Sequence, residues 1–149
     1  MTIEEVLKTR QKMSPSTRTV INIMYTSRLV EIAASSILKP YDLTIQQYNV
    51  LRILRGQKGK PANLSTIQER MIDRSSNTSR LIDKLVAKKM VERKRCPANR
   101  RKVEIVITAE GLTILEKLDK VTEDNNRKIL QDLSTTDLEQ LNQLLDKIH

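Results

Sequence analysis

Residues 74–89, RSSNTSRLIDKLVAKK, open with five short hydrogen-bonding side chains, Ser75, Ser76, Asn77, Thr78 and Ser79, and close in lysines. Such residues fit helix interiors badly, because their side chains compete for backbone hydrogen bonds. At a helix start they are well placed, and they are short enough to approach base edges in a DNA major groove. Asn77, Arg80, Lys84 and Lys88 follow at spacings of three, four and four, which predicts one stripe, with Thr78, Leu81 and Leu85 on the buried side. The chemistry open to this pattern is recognition of a polyanion. Ser75, Ser76, Asn77 and Ser79 would read bases, while Arg80, Lys84 and Lys88 would anchor on phosphates. The competing reading is that Ser75 only caps the helix and its neighbours face solvent.

Charge sharpens the choice once it is located. Residues 74–102 hold 11 basic and 2 acidic side chains, so this short span alone matches the net +9 of the whole chain. Residues 109–149 hold 5 basic and 9 acidic ones, so the excess is focused rather than spread. A focused basic patch is the footprint of a polyanion binder, although a lysine-rich solvated face also carries such charge.

Other chemistries find few residues to work with. Cys96 is the single cysteine and His149, the terminal residue, the single histidine. Within one chain they supply neither a metal set nor a Cys–His dyad. The stretch GQKGK lacks both the Walker spacing and a preceding strand. No catalytic residue, metal or cofactor is expected. No apolar run nears the roughly 18 residues needed to span a bilayer, and the N-terminus has no signal-peptide core. A cytoplasmic protein without a membrane partner is the expectation.

The elements that would position the patch follow from caps and periodicity. Thr2 and Glu5 start a short helix over 3–12, stopped by Pro15, and a long amphipathic helix runs from Ser16 to Leu38, ended by Pro40. In LTIQQYNVLRIL, Thr44 and Gln47 make a capping box with Leu43 and Tyr48 at the staple positions. Asn63 caps a short helix to about Met71, with Leu64, Ile67 and Met71 inward. Beyond Lys89 the period becomes two. MVERKR (90–95) pairs with RKVEIVIT across a CPANR tip (96–100), with Val103, Ile105 and Ile107 on one face. Thr108 caps a helix carrying Leu112, Leu115, Leu118 and Val121, and Ser134 with Asp137 caps the last one. The fold class is mainly α with a small β-hairpin wing, a winged helix-turn-helix flanked by helices at both ends.

From about Val20 to Ile148 the sequence resembles the MarR-type (multiple antibiotic resistance regulator) transcription factors. The motifs are LTIQQYNVLRIL, SSNTSRLIDKLVAKKMVERK and NRRKVEIVITAEG, the last matching the family's Asp-x-Arg, six residues, Thr and nearby Gly at Asn99, Arg101, Thr108 and Gly111. Two departures are visible: Asn99 replaces the wing Asp, leaving Arg101 less firmly placed and Arg100 able to share its role, and Lys89 stands where a helix-ending Gly is usual. The resemblance implies one domain over 1–149, with dimerisation helices at 16–38 and 109–149 and a winged DNA-binding region at 42–108. It implies a homodimeric, sequence-specific regulator of double-stranded DNA, usually a repressor, on a pseudo-palindromic operator. The wing residues would be Arg95, Asn99, Arg100 and Arg101, and Tyr25, Arg28 and Tyr48 would line a small-molecule effector cleft. The surplus of Leu and Ile in the terminal helices supports pairing independently. The alternatives are a winged-helix protein–protein interaction module and a nonspecific nucleic-acid or membrane-surface binder.

Overall fold

The structure, a computed structural model, describes residues 1–149 apart from the side chain of Arg100. Seven helices and one hairpin follow in the order α1 (Ile3–Val6), α2 (Pro15–Leu38), α3 (Ile45–Gly56), α4 (Leu64–Arg70), α5 (Thr78–Ala87), β1 (Val91–Cys96), β2 (Asn99–Ile107), α6 (Ala109–Ile129) and α7 (Thr135–Asp146). A 3-10 turn, Lys39–Tyr41, separates α2 from α3.

The caps act where the sequence places them. Thr44 accepts from Gln47 N–H at 3.1 Å while Gln47 returns its side-chain oxygen to Thr44 N–H at 3.2 Å. Ser134 and Asp137 form the same reciprocal pair, and Asn63 and Thr108 accept from Thr66 and Gly111. Two N-terminal expectations change. The first helix ends at Val6 rather than reaching residue 12. Pro15 begins α2 instead of closing off the helix before it: Ser14 is the cap, and Pro15 fills the first turn, where no N–H is needed.

The core lies under the hairpin and the two helices before it. Val50, Leu51 and Leu54 of α3, Ile67 of α4, Ile82 and Leu85 of α5, Ile105 of β2, and Leu115 and Leu118 of α6 are all buried. Ile82, not Leu81, is the central buried residue of α5, and Leu64 and Leu112 are more exposed than expected. The hairpin is antiparallel, with Val91 opposite Ile107 and Arg95 opposite Val103. Ile105 also exchanges two backbone hydrogen bonds with Ala62, which fastens the hairpin to the α3–α4 loop. A bidentate pair from Arg55 to Asp119, at 2.8 and 2.9 Å, ties α3 to α6.

Outside this core the surface is apolar on the terminal helices. Val20, Met24 and Ile32 of α2, and Leu141, Leu144 and Ile148 towards the C-terminus, are exposed in the single chain. Among the described residues no helix is long and apolar enough to cross a membrane.

Candidate nucleic-acid interface

Helix α5 starts two residues later than a cap at Ser75 would place it. Asn77 is the cap, its side-chain oxygen accepting from Arg80 N–H at 3.1 Å. Ser75 turns back instead: its N–H and hydroxyl both donate to Asp73, and these bonds hold the Asp73 carboxyl below its usual range. The Ser76 hydroxyl is buried and finds no hydrogen-bond partner among the described residues. Of the proposed base readers, Asn77 and Ser79 present exposed side chains, Ser75 is exposed but engaged, and Ser76 has its hydroxyl turned inward.

The turn before α5 is held from two sides. Asn49 of α3 accepts from Ile72 N–H at 2.9 Å. Gln68 of α4 donates to the Arg74 carbonyl at 2.5 Å and accepts from the Thr78 hydroxyl. These bonds satisfy backbone and side-chain groups that the irregular turn would otherwise leave unpaired. Ser75, Ser76, Asn77, Arg80 and Lys84 consequently line one groove with Asp73. Lys88 is not in it. It lies two turns beyond the half-buried Leu81 and therefore on the same line of the helix, facing α3. Its ammonium donates to the Asp42 carbonyl and, at 3.1 Å, to the side-chain oxygen of Gln47. Lys88 is about three turns from Asn77 and only about 20° away around the axis, so it is its place at the C-terminal end, beside the α2–α3 joint, that turns the last member of the stripe into an internal contact.

The end of α5 is unusual for its residue. Lys89 adopts φ 60°, where glycine is the ordinary choice. Lys89 N–H donates to the Val86 carbonyl and Met90 N–H to that of Leu85, the paired bonds of a left-handed helix stop. Thr108 then joins this stop to α6. Its hydroxyl donates to the Lys89 carbonyl at 2.7 Å, and its N–H donates to that of Met90 at 3.0 Å. Gly111 follows because a Cβ there would lie 2.4 Å from the Met90 oxygen.

The hairpin tip is shorter than CPANR. Cys96 pairs with Asn99, leaving Pro97 and Ala98 as the turn and placing Cys96, Asn99 and Arg100 in the strands. A register shift between Arg95 and Cys96 marks an irregularity just before the turn. Asn99 accepts from Arg101 N–H at 3.1 Å, so it shapes the turn through its side-chain oxygen. That contact needs no carboxylate, and it reaches the Arg101 backbone rather than the guanidinium. Arg95 and Arg101 are exposed, while the Arg100 side chain lies outside the described residues. Arg93, which sequence reasoning passed over, pairs with Asp83 on the outer side of α5. Directly opposed strand residues share a face, so Arg93 and Arg95 lie on the face of Ile105 and Val103. The contact with Asp83 shows that this basic face looks towards α5.

The effector residues do not assemble as expected. Arg28 lines a cleft of about 970 Å³ between α2 and α3, with Glu31, Lys39, Asp42 and Asp73. Tyr25 and Tyr48 are not among its walls. Tyr48 turns to α6, its hydroxyl 3.5 Å from that of Thr122, with the Arg52 guanidinium 5.8 Å from its ring centre.

Known proteins place this arrangement. Residues 43–103 match the MarR family. The HTH-type transcriptional regulator PecS of Dickeya dadantii (strain 3937) is 30% identical over 125 residues, covering 82% of this chain and 74% of PecS. The MarR transcription factor from Planctomyces limnophilus is 28% identical with a TM-score of 0.72, over 91% of this chain and 98% of that one. A mutant MarR from E. coli complexed with operator DNA is 25% identical with a TM-score of 0.76, over 85% and 89% of the two chains. Sequence match and shared fold agree over the segment that builds the groove and the hairpin, and the chain belongs to the MarR family.

Proposed function

We propose that the protein is a transcriptional repressor that binds double-stranded DNA in a sequence-specific way as a homodimer on a pseudo-palindromic operator. One observation carries the reading: a pinned turn delivers the exposed Asn77 and Arg80 to one groove at the head of α5, beside a hairpin with cations on the face towards that helix. A helix N-terminus with short polar and cationic residues fits base edges, and the hairpin arginines fit the adjacent minor groove. The solved E. coli relative, held with operator DNA, supports the same use of the fold. Asn77, Ser79 and Arg80 would contact bases, with Ser75 beside them. Lys84, Arg95, Arg100 and Arg101 would contact backbone and minor groove, and Asn99 would shape the wing. The apolar faces of residues 16–38 and 109–149 would pair two copies, with 42–108 as the DNA-binding region. A small-molecule effector would enter the cleft beside Arg28. On this reading the protein works in the cytoplasm and is not an enzyme.

The test is retention of genomic fragments in the presence of excess nonspecific competitor DNA. A few retained fragments support a sequence-specific regulator. Indiscriminate binding points to charge alone, and no binding points to a protein-interaction module. Sedimentation of a chain lacking residues 134–149 tests the pairing: a well-behaved dimer after that deletion would place the interface elsewhere.

A further inference from the structure

Lys88 is drawn out of the DNA-facing set by its surroundings, and those surroundings give it another task. Its ammonium reaches the Asp42 carbonyl, Gln47 Oε1 at 3.1 Å and the Asp42 carboxylate at 3.4 Å. The three acceptors come from a joint. Asp42 follows the 3-10 turn at the end of α2 and has φ 52°, and Gln47 belongs to the capping box that starts α3. Gln47 is 3% exposed, and its side-chain oxygen accepts from Thr44 N–H as well as from Lys88. The Asp42 carboxylate is almost fully exposed, so the carbonyl and the amide oxygen matter more than the ion pair. Lys88 also caps the C-terminus of α5, where a cation suits the helix dipole. One side chain thus joins the end of the long helix α2, the start of α3 and the end of α5.

We propose that Lys88 is a positioning residue that sets the angle of α5 against α2, and through it the half-site spacing the dimer accepts. This rests on the reading of the protein as a dimeric DNA binder. The base-reading end of α5 is opposite the joint. Its ten residues make a lever of roughly 15 Å. Because the head of α5 is pinned to α3 and α4, slack at the joint turns α3–α5 together against α2, and a rotation of about 10° there moves Asn77 by roughly 2.6 Å, comparable with the rise of about 3.4 Å per base pair. A small slack at the joint therefore becomes a loss of register between two half-sites that must both be met at once.

The probe is an operator selected by the wild-type protein from a random-sequence duplex pool, with versions whose half-site spacing is one base pair longer or shorter. Lys88→Met keeps the stem and removes the donors. It should bind the selected operator about tenfold more weakly, with the salt slope unchanged and the penalty for the altered spacings reduced. Lys88→Arg keeps the charge but offers a planar fork in place of three rotatable donors. It should keep the slope and also blur the spacing preference. Without DNA, amide exchange at Thr44 and Gln47 should quicken in Lys88→Met. If Lys88 is instead a phosphate contact, Lys88→Met will lower the slope by about two per dimer with spacing preference intact, and the proposal fails. Unchanged spacing preference in both variants also overturns it. A wild-type protein that selects no duplex overturns the DNA-binding reading itself, an outcome distinct from either of these.

Discussion

Replacing Asn77 with serine separates base reading from helix capping at one position. Asn77 Oδ1 already accepts from Arg80 N–H at 3.1 Å. A full bidentate pairing with adenine asks that same oxygen to accept from the base while the amide nitrogen donates. An oxygen has two lone pairs, but one is aimed back at the helix, so the expected contribution lies at the low end of the range for a base contact. That is about 1 kcal/mol per half-site, roughly fivefold, or about 30-fold over a symmetric operator. Serine is as good a cap as asparagine and keeps the bond to Arg80 N–H, so Asn77→Ser should melt like the wild type. Asn77→Ala loses the cap too, about 1 kcal/mol per protomer, and should melt about 2–4 °C lower. The assay is selection from randomised duplexes alongside thermal unfolding for both variants. If Asn77→Ser selects the same bases with undiminished preference, Asn77 is a cap and nothing more, and the docking of α5 must be redrawn.

Four further outcomes follow from named contacts. Gly111→Ala gains about 1 kcal/mol of helix propensity but drives a Cβ into the Met90 carbonyl and Ile107, so denaturant unfolding should show a net loss of about 1–3 kcal/mol; an equal or higher stability would refute the contact. Lys89→Gly relieves a left-handed backbone and should raise the melting temperature, by about 0.5–1 kcal/mol of added stability, whereas a fall would mean that the lysine side chain matters more than its φ. Asp119 has its pKa lowered by the hydrogen bonds from Arg55, so the pair adds stability above the ordinary Asp value of 3.8 and loses it as pH falls through the lower folded value. Both partners are a third or more exposed, so Asp119→Asn should cost at most about 1 kcal/mol at neutral pH, with the gap closing below pH 3.8; a gap that persisted there would sink the assignment. Arg101→Ala should weaken binding most on operators with A·T-rich flanks, and equal weakening on all flanks in an operator titration would remove it from the minor groove.

What the sequence disclosed and what it hid divide by range. Thr44, Asn63, Thr108 and Ser134 were legible as caps because each meets a partner three residues on, and local geometry needs no knowledge of the fold. The start of α5 was not, because Ser75, Ser76 and Asn77 can all cap. The choice fell to Asp73, which occupies Ser75, and to the burial of Ser76. Pro15 reads as a stop or a start on equal terms until Ser14 is seen to cap it. The partner of Lys88 is 46 residues away, and Tyr48 turns to a helix 74 residues on, so neither orientation could be found by periodicity.

The same distinction changes what the basic span can do. Counting charges over 74–102 treats 11 cations as one surface. In the fold Lys88 is spent on the α2–α3 joint, and the two acidic residues of the span, Asp83 and Glu92, pair with Arg93 and Lys94 at the base of the hairpin. The Asp83–Arg93 pair holds the hairpin against α5, the Glu92–Lys94 pair lies within β1, and both lower the charge near the hairpin's root, while Arg95 and Arg101 remain exposed towards its tip. The exposed cations placed to release counterions are thus Arg80 and Lys84 along α5 with Lys89 just past its end, and the arginines towards the end of the hairpin, separated by the paired charges at its root. Each neutralised phosphate adds about 0.9 to the salt slope, so the slope should follow those two clusters and fall well short of the value 11 contacts would give. The patch is two contacts on a braced frame, and the bracing consumes part of the charge that first drew attention to it.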